Sequence, residues 1–178
     1  DCFKLHTQIV TNHFSDIIMS MVEIHNSVAK VYEENKETLE IFECLDEFSD
    51  TQNFCDHYGF DIEDSCNAIL IKAKKPEEFY AMFCVLGANR LDVNHKAKEA
   101  MGAKRVSFAS REEAETVTGQ IYGGISPLGL PENIKVYMDK NVTDREKLFI
   151  GAGNRVSKFF LSPETLIQLS SATVLDLT

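Results

Sequence analysis

Short apolar runs, each ended by a turn or capping residue, are the feature that most limits the folds open to this chain. Residues 68–71, 79–86 and 156–161 have the length and composition of strands. Short helix signals interrupt them, such as the S-x-x-E capping box formed by Ser110 and Glu113. This alternation predicts an α+β domain with a largely antiparallel, partly barrel-like sheet and surrounding helices.

The first 36 residues carry a different pattern. Mostly apolar residues recur there at steps of three and four, which places them on one stripe of an amphipathic helix: Val10, Phe14, Ile17, Met21, His25, Val28 and Tyr32. We therefore divide the chain into an N-terminal helix, residues 1–36, and a folded domain, residues 37–178. The stripe can dock on the domain or form a contact between copies in a homo-oligomer, and we expect docking.

The acidic balance of the chain limits its partners. The formal net charge is −10, and a broad non-specific grip on nucleic acid depends on neutralising phosphates with basic residues. We therefore expect no DNA partner. A small basic patch that holds one terminal nucleotide stays compatible with this charge.

Cysteine usage and hydropathy indicate the compartment. The five cysteines are scattered and lack the spacing of a metal site or a disulfide framework. No apolar stretch approaches the ~20 residues that span a bilayer. We expect a cytoplasmic protein with no membrane partner, no bound metal and no cofactor.

A loop rich in glycine and proline is the strongest candidate for a binding site. Residues 122–131 hold three glycines and two prolines. Glycine lets a ligand approach the backbone closely, and proline stiffens the chain. A stiff loop with bare N–H groups predicts a cradle for an anion or an oxyanion, while the competing interpretation is an ordinary turn between a helix and a strand.

Two other motif matches in the chain fail. Ser126 misses the G-x-S-x-G nucleophile elbow by one residue, so we do not expect it to act as a nucleophile. Gly151 and Gly153 begin a dinucleotide-binding pattern, but Val156 stands where that pattern needs glycine.

The same loop carries a family resemblance. Residues 123–127, Gly-Gly-Ile-Ser-Pro, resemble the G-x-x-x-P loop of the YbaK family, which is related to the editing domain of prolyl-tRNA synthetase. Further landmarks follow in the family's order: Asn89-Arg90-Leu91-Asp92, residues 102–110, Gly119, Gly151-Ala152-Gly153-Asn154 and Leu161-Ser162-Pro163. The resemblance covers roughly residues 39–177 and implies the YbaK-like fold.

That resemblance also implies an activity. Family members hydrolyse the ester that joins an amino acid to the 3′ end of tRNA, which implies an aminoacyl-tRNA deacylase acting in trans on a small mischarged amino acid. The implied partner is the 3′ end of aminoacyl-tRNA, without metal or cofactor. The residues that the resemblance places at the site are Asn67, Gly123 and Gly124 for catalysis, and Ile125, Ser126, Pro127, Gly151, Gly153 and Lys158 for substrate binding. We expect Gly124→Val to block this site without disturbing the fold.

Asn67 departs from the family pattern. Many members carry a lysine there, and asparagine has no charge with which to hold a developing anion. An enzyme is the favoured interpretation, with Lys158 as a substitute cation or as an exposed lysine on a strand. The alternative is a catalytically altered binding module for the tRNA 3′ end, a nucleotide or a protein partner. Hydrolysis of another small acyl ester is a third hypothesis.

Overall fold

The structure, a computed structural model, describes residues 22–178 as an α+β domain. Its helices are α1 (Asn26–Glu34), α2 (Thr51–Tyr58), α3 (Lys98–Ala100), α4 (Arg111–Thr118) and α5 (Pro163–Ser170). Its strands are β1 (Glu40–Glu43), β2 (Cys66–Lys75), β3 (Phe79–Leu86), β4 (Arg105–Phe108), β5 (Lys135–Asp139), β6 (Leu148–Gly151), β7 (Ser157–Leu161) and β8 (Thr173–Leu175). Within residues 22–178, no helix combines the length and the hydropathy of a bilayer-spanning segment.

The strands form two sheets. One has five strands in the order β4-β2-β3-β5-β8, and the other has three in the order β1-β7-β6. Neighbours pair antiparallel except for β3 with β5 and β5 with β8, which are parallel. A bridge between Ser65 and Phe149 joins the sheets. The predicted α+β fold class is confirmed, and the sheets stay open at their edges instead of closing into a barrel.

Capping residues set the boundaries of three helices. The Asp50 carboxylate accepts hydrogen bonds from the N–H groups of residues 52 and 53 at the start of α2. Gly59 ends that helix in the left-handed conformation. Ser110 and Glu113 form the predicted capping box of α4. Ser162 caps α5, with proline in the first helical position. These ends depend on residues within one turn of each other, so sequence alone locates them.

The described part of the N-terminal segment is helical only from residue 26. His25 has an extended backbone, and its Nδ1 accepts the N–H of Ser27 at 3.3 Å, so α1 begins at Asn26. The prediction of one continuous helix is therefore wrong between residues 22 and 25. Val28 and Tyr32 are buried, as the stripe predicts. Val10, Phe14, Ile17 and Met21 lie outside the described residues, and the domain boundary at residue 36 and the contact between copies stay predictions.

An aromatic cluster fixes α2 against the three-stranded sheet. Phe54 of α2 packs edge-on against Phe42 of β1 and stacks on Phe60, and the cluster continues to Phe149 and Phe160 on β6 and β7. Aromatic contacts of this kind contribute beyond the area they bury. The N-terminal end of α2 is thereby held beside the start of β2.

An ion pair connects the five-stranded sheet to α4. The Lys72 ammonium in β2 lies 2.9 Å from one Glu113 oxygen, and the Tyr80 hydroxyl donates to the same oxygen at 3.3 Å. The N–H of Ser110 donates to the other oxygen at 2.8 Å. The Ser110 N–H and the Lys72 ammonium lower the pKa of Glu113 to about 2.

We expect the destabilisation caused by Glu113→Gln to shrink as pH falls. A carboxyl whose folded pKa lies near 2, below its ordinary 4.5, stabilises the fold above pH 4.5 and loses that contribution as pH falls towards 2. Urea unfolding of both proteins, followed from about pH 7 to about pH 3, should show their free energies of unfolding converging.

Glu112→Gln is the control for this experiment. It removes a charge from the same helical turn but leaves the Lys72 contact intact. At pH 7 its free energy of unfolding should therefore differ less from that of the wild type than the free energy of Glu113→Gln does. If the difference in free energy of unfolding between the wild type and Glu113→Gln stayed constant down to pH 3, the role given to the ion pair would be contradicted.

Candidate active site

A cleft of about 400 Å³ lies between the start of β2, the N-terminal end of α2 and the glycine loop. It brings together six of the nine residues that the resemblance assigned to the site: Asn67, Gly123, Gly124, Ile125, Gly151 and Lys158. These residues come from four separate segments of the chain. The fold therefore places the glycine loop opposite the first residues of β2.

The loop is held in place by a second backbone segment. The N–H of Gly153 donates to the Gly124 carbonyl at 2.7 Å, and the N–H of Ile121 donates to the Gly153 carbonyl at 2.9 Å. A Cβ built on Gly124 would lie 1.7 Å from the carbonyl oxygen of Asn154, and one built on Gly151 would lie 2.4 Å from that of Ile125. Glycine is needed at both positions because two backbones touch there. The expectation that Gly124→Val leaves the fold intact is therefore wrong.

Two amide groups of the loop remain available. Among residues 22–178, no acceptor is found for the N–H of Gly123 or that of Ile125, while the N–H of Gly124 between them donates to the Ile121 carbonyl at 3.0 Å. Gly123 and Ile125 both line the cleft. A polar ligand atom in the cleft can therefore accept from backbone dipoles that already have a fixed direction.

Three predicted residues lie behind the loop instead of in the cleft. Ser126 is fully buried: its N–H donates to the Gln120 side chain at 2.6 Å, and its Oγ accepts the N–H of Leu128 at 3.1 Å. Pro127 lines a separate cavity, and Gly153 packs against the ring of His25. The geometry gives Ser126, Pro127 and Gly153 the task of shaping the loop, without direct contact with the cleft.

Thr51 orients the side chain of Asn67. Its hydroxyl donates to Asn67 Oδ1 at 3.1 Å, which fixes the amide and leaves the Nδ2 donor free to serve a ligand. Thr51 also lines the cleft. The sequence places Thr51 in the first turn of α2 but gives no sign of a contact with residue 67, because that contact depends on how α2 packs on the sheets.

Lys158 is a buried cation in the wall of the cleft. Its side chain is among the buried polar groups, its Nζ donates to the Ser49 carbonyl at 2.7 Å, and it lies 5.5 Å from the ring centroid of Phe54. Burial lowers the pKa of this ammonium. The alternative of an exposed lysine on a strand is wrong, because the Lys158 side chain is buried.

Tyr122 and Arg155 also line the cleft, and sequence analysis missed both. Arg155 Nε lies 2.5 Å from the Asp46 carboxylate, and its Nη2 donates to the Asp46 carbonyl at 3.0 Å. Tyr122 adjoins the glycine pair, and Arg155 follows the late glycine turn. Proximity to those glycines is the signal that could have identified them.

Cys66 is the one thiol that reaches the cleft from β2, and it is poorly suited to attack a substrate. A hydrogen bond with Cys84 and complete burial raise the pKa of Cys66 well above its ordinary value. The thiolate is the nucleophilic form of cysteine, so a thiol in this state is inert.

Replacing Gly124 by alanine should destabilise the protein far more than replacing Gly102 does. Gly102 has a positive φ of 60° with open space around its Cβ position, so Gly102→Ala costs only about 1 kcal/mol of conformational strain. Gly124→Ala must separate two backbone segments as well. Urea unfolding of the two variants provides the comparison, and equal stability would show that the loop does not depend on this contact.

Comparisons with known proteins show which protein family the chain resembles. A protein of Enterococcus faecalis (strain ATCC 700802 / V583), provisionally named a Cys-tRNA(Pro)/Cys-tRNA(Cys) deacylase, EbsC, is 25% identical over 175 residues, which cover 98% of this chain and 97% of that protein. The proline–tRNA ligase of Streptococcus pneumoniae (strain Hungary19A-6) is 40% identical over 57 residues, 32% of this chain and 9% of the ligase.

A solved structure shares the fold. A crystal structure of a protein provisionally assigned as a trans-editing enzyme for prolyl-tRNA synthetase matches 88% of this chain and 99% of its own, with a TM-score of 0.74 and 22% identity. The sequence model of the aminoacyl-tRNA editing domain matches residues 46–169. The chain therefore belongs to the aminoacyl-tRNA editing domain family, which confirms the resemblance seen in the sequence and the enzyme class, a hydrolase acting on aminoacyl-tRNA, that it implies.

Proposed function

We propose that the protein acts in trans to hydrolyse the ester of a small amino acid wrongly attached to tRNA. The observation that carries this proposal is one cleft lined by Asn67, whose amide Thr51 orients, and by Gly123 and Ile125, whose N–H groups have no acceptor among residues 22–178. Family membership supports the reaction class. Because charged tRNA is the proposed substrate, we place the protein in the cytoplasm.

The loop amides supply the main catalytic interaction in this proposal. When water attacks the ester carbonyl, negative charge develops on the carbonyl oxygen. The N–H groups of Gly123 and Ile125 donate hydrogen bonds to that oxygen without reorganising, because the contact with residues 151–154 already fixes the loop. Removing one such donor costs on the order of 10²–10³ in rate.

Asn67 and Lys158 share the task that a single lysine has in many relatives. Asn67 Nδ2 donates to the attacking water or to the ribose, with Thr51 holding the amide in position. Lys158 places its positive charge in the cleft wall from a different strand, within surroundings dry enough to lower its pKa. A charge in such surroundings acts more strongly on a developing oxyanion than the same charge in water.

Water is the nucleophile in the proposed reaction. The described residues that line the cleft offer no activated side chain for attack, since Cys66 is a buried thiol and the Thr51 hydroxyl donates to Asn67. The ribose hydroxyl next to the ester passes its proton to the departing oxygen and takes one from the attacking water. The bond between the carbonyl carbon and that oxygen breaks, which releases a free amino acid and an uncharged tRNA.

The size of the cleft supports a small substrate side chain. A volume of about 400 Å³ lies near the lower end of the range for small-molecule sites, and the terminal ribose takes part of it. The names of the relatives favour tRNA(Pro) carrying cysteine or another small amino acid as the first substrates to test.

We expect the protein to deacylate tRNA(Pro) charged with alanine, serine or cysteine, and Asn67→Ala to lower kcat/KM by about 10²-fold. Thr51→Val should lower kcat/KM by less, because it removes the hydrogen bond that orients the Asn67 amide but keeps the amide itself. Release of labelled amino acid measures both effects. Asn53→Ala, an exposed change on α2, is the control. Turnover no faster than in buffer across this panel would refute the proposal.

Lys158→Met should separate activity from stability. Methionine keeps most of the volume and removes a buried charge, so the free energy of unfolding should stay level or rise. The rate of hydrolysis should fall about 10²-fold because the oxyanion loses its cation. Lys147→Met, an exposed lysine beside the same sheet, should change neither quantity. Full activity in Lys158→Met would exclude the role given to this ammonium.

A further inference from the structure

An exposed aromatic ring and a guanidinium flank Gly123 at the mouth of the cleft. Tyr122 precedes this glycine in the chain. Nη1 of Arg155 would lie 2.3 Å from a Cβ built on Gly123, so the missing side chain lets the guanidinium sit against the loop. Both residues line the cleft, and the proposed chemistry uses neither of them.

Tyr122 is held in an exposed position by polar contacts. Its side chain is 49% exposed although it is large and mostly apolar. Its N–H donates to the Glu115 carboxylate at 3.0 Å, and the Arg111 guanidinium lies over its ring at 5.8 Å from the centroid. Arg111 is fixed in turn by Glu115 at 3.5 Å. Arg111 lies over one face of the ring, and the exposed part of the ring can contact a flat partner at the cleft.

Arg155 keeps one free end. Asp46 occupies Nε through its carboxylate and Nη2 through its carbonyl. The Nη1 end, which adjoins Gly123, has no hydrogen-bond acceptor among residues 22–178. A guanidinium fixed at one end and open at the other is suited to bind a phosphate oxygen.

The surrounding charges limit nucleic-acid binding at the cleft mouth to a short segment. The chain carries a net charge of −10, and the Asp50 carboxylate also lines the cleft. Positive charge at the mouth comes from Arg111, Arg155 and the buried Lys158. Such a local patch holds one nucleotide more readily than an extended strand.

We propose that this mouth binds the 3′-terminal nucleotide of tRNA, with Tyr122 stacked on the terminal base and Arg155 on the adjacent phosphate. The inference rests on the proposed function, because it takes the ester in the cleft to be carried by the terminal ribose. A base joined directly to that ribose lies at the mouth when the ester lies inside. Aromatic stacking is a general means of holding single-stranded bases.

Binding of uncharged RNA tests the stacking. Fluorescence anisotropy compares an RNA minihelix ending in CCA with one ending in CC. The wild-type protein should prefer the CCA end, Tyr122→Ala should lose about 5- to 150-fold in affinity for it, and Tyr122→Phe should retain the preference. Phe79→Ala removes an exposed aromatic ring at the far end of the β2–β3 hairpin and should have no effect.

The salt dependence of binding tests the phosphate contact. Arg155→Ala should flatten the slope of log affinity against log salt by about one unit, as expected for the loss of one phosphate contact. Asp46→Asn breaks the same ion pair but keeps the guanidinium, so its slope should match that of the wild type. If Arg155 had only a structural role, Arg155→Ala and Asp46→Asn would both bind more weakly, and neither would change the slope of log affinity against log salt.

The outcomes separate this inference from the proposed function. A protein that hydrolyses charged tRNA but binds the CCA and CC ends equally would overturn the inference alone. A protein without hydrolysis that prefers the CCA end through Tyr122 would refute the proposed function and support the nucleotide site. Unchanged binding by Tyr122→Ala would overturn the stacking whatever the activity.

Discussion

The contact between the glycine loop and the turn at residues 151–154 is the constraint on which the site depends. Gly124 and Gly151 each lie so close to a carbonyl of the other segment that a methyl group would not fit. Hydrogen bonds between Gly153 and Gly124 and between Ile121 and Gly153 close the contact. Among residues 22–178 no acceptor is found for the N–H groups of Gly123 and Ile125, and both residues line the cleft.

Asn67 and Lys158 both reach the cleft because of the arrangement of the two sheets. Asn67 stands at the start of β2 in the five-stranded sheet, while Lys158 lies on the central strand of the other sheet. The bridge from Ser65 to Phe149 places the start of β2 beside β6, and β6 pairs with β7, which carries Lys158. An ammonium from the three-stranded sheet therefore lines the same cleft as the uncharged residue at position 67, and the proposed mechanism uses this arrangement.

Sequence predicted the parts of this structure that depend on near neighbours. The capping box of Ser110 and Glu113 was predicted correctly because it forms within one helical turn. The loop that faces β2 was located through its glycines and a family pattern. The contact of Thr51 with Asn67 and the burial of Lys158 were not predicted, because both depend on packing between residues far apart in the chain.

The amide resonances of Gly123 and Ile125 test the central claim most directly. A stable analogue, with an amide in place of the ester between a small amino acid and adenosine, presents the carbonyl without being hydrolysed. In NMR titration the amide protons of Gly123 and Ile125 should shift to lower field, as expected for new hydrogen bonds to the carbonyl oxygen, while that of Gly102 stays unchanged. Binding that leaves both loop amides unmoved would contradict an oxyanion site at this loop.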